Sequence, residues 1–455
     1  MMNKYKLLLK RLPILTLCLL ATTQLHAVPH SHGGRIHDHK LPAQGFAHRH
    51  GNGPVGQPAG NTSATKPAPT GKQTTPIQRG NPQDPNVALR NAYVKKDYKK
   101  VYNIASTFAK RGDPAGEYIL GQLYLNGQGV KKSPNQAFSW NQKAAKKGHP
   151  GAQYFQGVML VKGIGTRKDP KQAMTWLRKA APKIPDAKRD IGIMYEQGLG
   201  VKKDMKQAIK WYEQAANSGM VDVQLMLAER YFKGAGVKKN LQKAFNYARK
   251  AAKAGHPAAD YMLAIMYANG QGTKMSKKQA YNHMKKAASK GLPNAQYSLG
   301  LMYLEGVGTK KSPSKARKEF KKVAQKGSPL AMAMLGDMYL NGVGVKKDMN
   351  KAFPWYKKAA DKGLPEAQLM VADMYHDGAG VKKDLNKAMT WYKKSAKAGV
   401  PQAQYSVGAM YATGYANHKP DLAKAKVWLK KAAKNKHKGA QDALAQLSRA
   451  ATKKP

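Results

Sequence analysis

The chain has 455 residues, of which 80 are lysine or arginine and only 25 are aspartate or glutamate, so its formal net charge at pH 7 is +55. Its single cysteine, Cys18, excludes a framework of disulfides within the chain. A net charge of this size raises encounter rates with anionic partners and makes their binding fall as salt rises.

The first 27 residues have the form of a secretory signal peptide. A basic start is followed by an apolar run from Leu12 to Ala21 and by a small residue, Ala27, at the expected cleavage site. The run is shorter than the roughly 18 to 20 apolar residues that cross a bilayer, and no other stretch approaches that length. We therefore expect an exported protein, either periplasmic or secreted to the cell surface, with no transmembrane segment after cleavage.

Residues 28–85 are rich in Pro, Gly, Thr, Gln and His and have no periodic apolar pattern. Such a composition predicts a flexible spacer. Its histidines could bind zinc, copper or nickel weakly through neutral imidazole, or could belong to a solvated linker that becomes cationic in acid. No fixed four-ligand spacing is present. The candidate metal ligands are His30, His32, His37, His39, His48 and His50.

A unit of 36 residues recurs nine times between residues 115 and 438. Its phase is marked by one aromatic column, at Tyr124, Leu160, Tyr195, Tyr231, Tyr267, Tyr303, Tyr339, Tyr375 and Tyr411. A fixed period of this length indicates stacked repeats, because each unit is too small to bury its apolar face alone. The apolar spacing within each unit predicts two helices, here called the first helix and the second helix of the repeat.

Glycine and capping residues predict where these helices end and begin. In the copy starting at residue 366, Gly378 and Gly380 suit a left-handed helix end and a tight turn, and Asp384 suits the N-cap of the second helix. A phosphate-loop interpretation of this GxG pair is disfavoured because no strand precedes it. The tryptophan column that includes Trp391 could stack on a ligand, but its spacing is more typical of packing between helices.

The complete pattern, AxxxLGxMYxxGxGVxKDxxKAxxWYxKAAxxG, resembles the Sel1-like repeats, a subfamily of the tetratricopeptide-type repeats. The resemblance implies an all-α fold, a right-handed α/α superhelical solenoid of about nine 36-residue helix-turn-helix repeats at residues 115–438. Residues 86–114 are expected to form a capping helix pair, and residues 439–455 a capping helix with a basic tail. The ninth copy departs from the pattern because Ala416 replaces the second glycine.

The positive charge is unevenly distributed. Residues 86–455 hold 70 basic and 23 acidic side chains, a net charge of +47, yet the nine twelve-residue windows at the first helices hold only 5 basic and 12 acidic ones. The repeat pattern itself includes one lysine in each turn. That single lysine does not account for the difference in charge between the first helices and the rest of the chain. The lysine pairs after the glycines are therefore expected to bind anionic surfaces; they are Lys202, Lys203, Lys238, Lys239, Lys310, Lys311, Lys346, Lys347, Lys382 and Lys383.

In solenoids of this kind the first helices line the concave surface. Asp337 and Asp373 occupy one column on consecutive first helices, and Glu229 occupies the same column earlier in the chain. We expect these carboxylates to form a ladder in a neutral to mildly acidic groove that holds a segment of a protein partner, its basic side chains in particular.

Catalysis requires a few convergent groups that break the repeat. The histidines beyond the spacer are expected to fall in different columns, and the single cysteine, Cys18, lies in the predicted signal peptide, so we expect a non-enzymatic protein; these histidines are His149, His256, His283, His376, His418 and His437. The leading hypothesis is an exported interaction scaffold or adaptor, and the resemblance to exported bacterial Sel1-like proteins, including the enhanced-entry proteins, implies a role in envelope maintenance or host-cell interaction.

Two alternatives stay open. One is a periplasmic metal-handling protein that uses the histidine-rich spacer as its collector. The other is a protein that binds polyanions such as wall polymers or nucleic acid, although no nucleic-acid recognition motif is present.

Overall fold

The computed structural model describes residues 84–452, with side chains to residue 448. The predicted signal peptide and all six candidate metal ligands of the spacer lie outside this range. Within it the chain forms 21 α-helices and no strand: α1 Pro85–Val94, α2 Tyr98–Lys110, α3 Pro114–Asn126, α4 Pro134–Lys146, α5 Pro150–Lys162, α6 Pro170–Ala180, α7 Pro185–Gln197, α8 Met205–Asn217, α9 Val221–Lys233, α10 Leu241–Lys253, α11 Pro257–Asn269, α12 Lys277–Ser289, α13 Pro293–Glu305, α14 Pro313–Gln325, α15 Pro329–Asn341, α16 Met349–Asp361, α17 Pro365–Asp377, α18 Leu385–Lys397, α19 Pro401–Thr413, α20 Leu422–Lys434 and α21 Lys438–Thr452.

The described helices fall into two compact units, residues 84–223 and 224–452, divided near the start of α9. Within each unit a helix packs chiefly against the helices before and after it in the chain. This one-dimensional arrangement is that of a helical solenoid, so the predicted fold class is confirmed.

The predicted helix ends are confirmed in the part of the chain that the structure describes. The first helix α17 ends at Gly378, whose φ of 74° is left-handed, and the equivalent glycines of the first eight repeats have φ between 65° and 78°. At the start of the second helix α18, the Asp384 carboxylate accepts the backbone N–H of Lys387. Equivalent N-cap bonds form in every repeat except the sixth, where Ser312 makes no side-chain cap.

Size complementarity holds the two helices of a repeat together. A Cβ added at Gly336 would lie 2.9 Å from the ring of Tyr356, and one added at Gly192 would lie 2.6 Å from the ring of Tyr212. Glycine inside a helix costs about 0.5 to 1 kcal/mol relative to alanine. That cost is offset here because the missing side chain lets a large residue of the second helix reach the backbone of the first.

The ninth repeat departs from the others, as its sequence predicted. Gly414 follows α19 with an extended ψ of 163°, and Ala416 takes a positive φ of 45°. Tyr415 and His418 then form an isolated antiparallel bridge before Asp421 caps α20.

Candidate functional site

The lysine pairs lie in the loops that join the first helix to the second helix. All ten predicted lysines are exposed. Each loop leaves the first helix through a left-handed glycine, Gly378 in the eighth repeat, and enters the second helix at a capped residue, Asp384. Lys382 and Lys383 thus lie between two fixed ends.

The second glycine of the loop rests on the preceding repeat. Gly380 has a φ of 70°, and a Cβ there would collide with the carbonyl oxygen of Met349, the first residue of the preceding second helix. Gly308 meets Lys277 in the same way. Only glycine combines this φ with so close an approach. Consecutive loops therefore follow one another along one edge of the unit formed by residues 224–452.

The capping carboxylates do not neutralise the lysine pairs. Lys387 lies three residues after Asp384 and forms an ion pair with it at 3.2 Å, and its backbone N–H helps to hold the pKa of Asp384 below its usual value. Lys351 pairs with Asp348 at 3.1 Å in the seventh repeat. The capping charges of Asp348, Asp384 and Asp421 are therefore each matched by a lysine inside the same helix. Among residues 84–452, none of the ten loop lysines forms an ion pair with a carboxylate.

Many other lysines are engaged within the fold. Lys394 lies over the ring of Trp391, with its Nζ 3.9 Å from the centroid, which is a cation–π contact. The same spacing of three residues places a lysine over an aromatic ring at Lys143 and Trp140, Lys179 and Trp176, Lys250 and Tyr247, Lys358 and Trp355, and Lys431 and Trp428. Lysines of the same helix therefore cover five of the six tryptophan rings; Trp391 is buried and the other tryptophans are half-buried.

A third group of lysines ties together the turns between repeats. Lys326 donates through its Nζ to the carbonyl oxygen of Gly291 at 2.7 Å and to Oε1 of Gln296 at 3.2 Å. Lys147 makes the equivalent bond to Gly112 at 2.8 Å and pairs with Glu117 at 2.6 Å. These ammonium groups hold one repeat to the next and are less available to a partner than the loop pairs.

The predicted acidic ladder is wrong in its geometry. Asp337 is only 2% exposed and Asp373 only 8% exposed. Oδ1 of Asp337 accepts the hydroxyl of Tyr356, and Oδ1 of Asp373 accepts that of Tyr392 at 2.5 Å. Both carboxylates thus bind the second helix of their own repeat, and a packing role replaces the expected role as peptide ligands. Glu229, the third member of the ladder, is half-buried.

Asp337 is also electrostatically unusual. Its second oxygen, Oδ2, is buried and accepts no hydrogen bond from any residue that the structure describes. Burial raises the pKa of Asp337 to about 7, although the hydrogen bond from Tyr356 lowers it. This carboxylate is consequently close to half-protonated at neutral pH.

The first helices are less acidic at their surface than their sequence suggested. Five of their twelve acidic residues are buried and paired inside the fold, namely Glu117, Asp190, Asp260, Asp337 and Asp373. The half-buried side chains of these helices in the unit of residues 224–452 are largely apolar or aromatic; they include Tyr297, Leu301, Leu369, Tyr405 and Ala409. The surface beside them is close to neutral.

Three of the histidines share one column, so the expectation that they fall in different columns is wrong for them. His149, His256 and His437 each stand at or just before the first turn of a helix. His149 accepts the N–H of Ala152 through Nδ1 and stacks on Tyr118 at 4.5 Å. Burial lowers its pKa. Within residues 84–452, no group of three or more His, Cys, Asp or Glu side chains is placed to hold a metal ion.

Nine consecutive segments of the chain match the Sel1 repeat family, at residues 114–149, 150–181, 185–220, 221–256, 257–292, 293–328, 329–364, 365–400 and 401–437. The protein therefore belongs to the Sel1 repeat family, and the resemblance seen in the sequence is confirmed. Comparison with curated proteins gives no match.

Two solved structures show the same fold. The protein c5321, described as a protective antigen present in uropathogenic Escherichia coli and displaying an SLR fold, has 32% sequence identity and a TM-score of 0.65, over 75% of this chain and 73% of that one. A Sel1 repeat protein from Oxalobacter formigenes has 29% identity and a TM-score of 0.53, over 72% of this chain and 94% of that one.

Proteins built from Sel1 repeats are generally non-enzymatic interaction scaffolds, and they typically bind protein partners. None of the helices within residues 84–452 is both long enough and apolar enough to cross a bilayer.

Proposed function

We propose that this protein is an exported, non-enzymatic scaffold with two separate binding surfaces. The first helices bind a segment of a partner protein, and the loop lysine pairs hold the scaffold against anionic envelope or host surfaces. The role that we propose for the protein is host-cell interaction or envelope maintenance. The observation that carries the proposal is the separation of apolar side chains on the first helices from unpaired lysines in the loops.

The first-helix surface suits a protein segment because it offers rigid apolar and aromatic side chains on a fixed backbone. Leu301 and Leu369 are half-buried and pack against the core of the unit formed by residues 224–452. Aromatic and apolar anchors of this kind supply most of the binding energy in protein interfaces. Since Asp337 and Asp373, the carboxylates expected to hold basic side chains, are internal, the partner segment is expected to be apolar rather than strongly basic.

Export is supported by the sequence of residues 1–27, and the absence of cysteine from the remaining residues allows the fold to form without disulfides in any compartment. The description of c5321 as a protective antigen supports the same assignment by similarity.

The test uses the chain without residues 1–27 as bait in envelope and host-cell lysates, washed at low and at roughly physiological salt. A variant with Leu301→Lys and Leu369→Lys should lose a protein that wild type retains at the higher salt. The matched control, Asn350→Lys with Thr390→Lys, adds the same charge at exposed positions of the second helices and should retain it. Circular dichroism should show unchanged helix content. Equal capture by both variants would place the protein-binding surface elsewhere.

The metal-handling alternative depends on residues 28–85, outside the described residues. Equilibrium dialysis with zinc, copper and nickel on intact protein and on protein lacking residues 28–85 separates the two functions. Submicromolar metal uptake that disappears with the deletion would favour metal handling over the scaffold.

A further inference from the structure

Among the lysines of residues 84–452, three groups differ in what their ammonium groups contact. One group lies over aromatic rings of the second helices, as Lys394 does over Trp391. Another group donates to carbonyl oxygens of the turns between repeats, as Lys326 does to Gly291. The loop pairs form the third group, which is exposed and has no ion pair among residues 84–452.

Three consecutive repeats carry complete loop pairs in the unit formed by residues 224–452. These pairs are Lys310 with Lys311, Lys346 with Lys347, and Lys382 with Lys383. Each loop rests on the repeat before it through its second glycine, since Cβ atoms at Gly344 and Gly380 would meet Pro313 and Met349. The pairs therefore lie in a row with a fixed order, here called the lysine row.

The spacing of the lysine row follows from helix packing. Packed helices lie about 8 to 10 Å apart and each repeat contributes two helices, so neighbouring lysine pairs are separated by roughly 10 to 20 Å. Lysine is a compact charge on a flexible stem of four carbons, and it tolerates variation in the position of the anion that it meets. Such a row matches a ligand whose charges also form a flexible row.

We propose that the lysine row binds a linear polyanion, a polymer that carries phosphate or sulfate groups along a flexible backbone and lies extended across consecutive loops. The inference rests on the anionic-surface part of the proposed function and names its ligand class. The row is only one lysine pair wide. No large apolar side chain within its three loops is exposed for insertion among acyl chains. The exposed Met275 lies one repeat earlier, in a loop that has a single lysine. A polymer fits this geometry better than a lipid surface does.

The test compares two six-lysine variants of the chain without residues 1–27. The row variant changes the six lysines of the lysine row to glutamine. The matched control removes the same charge from exposed lysines of the second helices, by substituting glutamine for Lys285, Lys286, Lys318, Lys321, Lys430 and Lys434. Both variants have the same net charge, so a general effect of charge cancels. Circular dichroism checks that both remain helical.

The probes are inorganic polyphosphate and heparin-derived oligosaccharides, each at defined chain lengths, and vesicles that contain anionic phospholipid. We expect the row variant to bind both polymers at least about tenfold more weakly than wild type, and the control within about threefold, because only the row contacts the polymer. We also expect the affinity of wild type to rise with polymer length until the chain covers three loops. A loss confined to polyphosphate or to the heparin fragments would identify phosphate or sulfate as the natural charge.

Equal losses in the two variants would overturn the inference, because they would show that charge acts diffusely. Binding to vesicles but not to either polymer would also overturn it, while leaving the anionic-surface function intact. If neither vesicles nor polymers bind wild type, the anionic part of the proposed function itself fails. Capture of a protein partner through the first helices is measured separately, and the row variant should retain it.

Discussion

Replacing Asp337 by asparagine should stabilise the seventh repeat at alkaline pH. Asparagine keeps an oxygen that can accept the Tyr356 hydroxyl, and it removes the buried charge that raises the pKa of Asp337 to about 7. Since the folded pKa lies above the unfolded value of 3.8, the folded state holds its proton more tightly. The protonated Asp337 carboxyl therefore makes its full contribution to the stability of the folded state below about pH 4. This contribution is lost as the pH rises through about 7.

The size of the effect follows from the same pKa values. A tenfold change in an equilibrium corresponds to about 1.4 kcal/mol, so a rise from 3.8 to about 7 corresponds to at most about 4 kcal/mol of local stability. We expect the variant to exceed wild type by up to that amount at pH 8.5 and by little at pH 4.5.

Hydrogen exchange is the suitable assay because long repeat arrays do not unfold as a single cooperative unit. Amide exchange in α15 and α16 is compared between variant and wild type at each pH, so the intrinsic pH dependence of exchange cancels. Amide exchange in α3 and α4 of the same variant is the internal control, because α15, which carries Asp337, packs chiefly against α14 and α16. An advantage of Asp337→Asn that is the same at both pH values would refute the reasoning, and so would an equal gain in the control.

Two further predictions concern the backbone. Pro354 lies inside α16 and lacks the N–H of an internal helical bond, whereas Thr390 occupies the equivalent position in α18. Pro354→Thr should therefore stabilise α16 by up to about 3 kcal/mol, and Thr390→Pro should destabilise α18. Hydrogen exchange measures both changes. Gly380→Ala should cost clearly more local stability in hydrogen exchange than Gly363→Ala, because both positions have positive φ, of 70° and 85°, but only Gly380 approaches other atoms closely. Equal costs for the two alanine variants would contradict the contact between the loop and Met349.

Sequence was sufficient for the fold because its signals are local. The period, the left-handed glycine at Gly378 and the N-cap at Asp384 depend on residues only a few positions apart, and each was found as predicted. The exposure of the loop lysines followed from the same turn. Such features do not require knowledge of which helices meet.

The acidic ladder failed because burial depends on a residue of another helix. Asp337 and Asp373 each have a tyrosine 19 residues later, Tyr356 and Tyr392, that donates to them. Glu229 has an alanine at that distance and is only half-buried. This pairing of an acid with a later tyrosine was visible in the sequence and distinguishes the internal carboxylates from the accessible one.

The contact between the second loop glycine and the preceding repeat has a consequence for how such proteins evolve. In consecutive repeats this glycine meets the carbonyl oxygen of Leu241 and of Lys277, then Cβ and the carbonyl carbon of Pro313, then the carbonyl oxygen of Met349, and the side chains of these four residues differ widely. Because the backbone is the same whatever the side chain, the joint does not require a matched pair of residues. A gene can therefore gain or lose a block of 36 codons and still join its copies in the same way, and an added copy that carries a lysine pair would extend the line of loop lysines by one step.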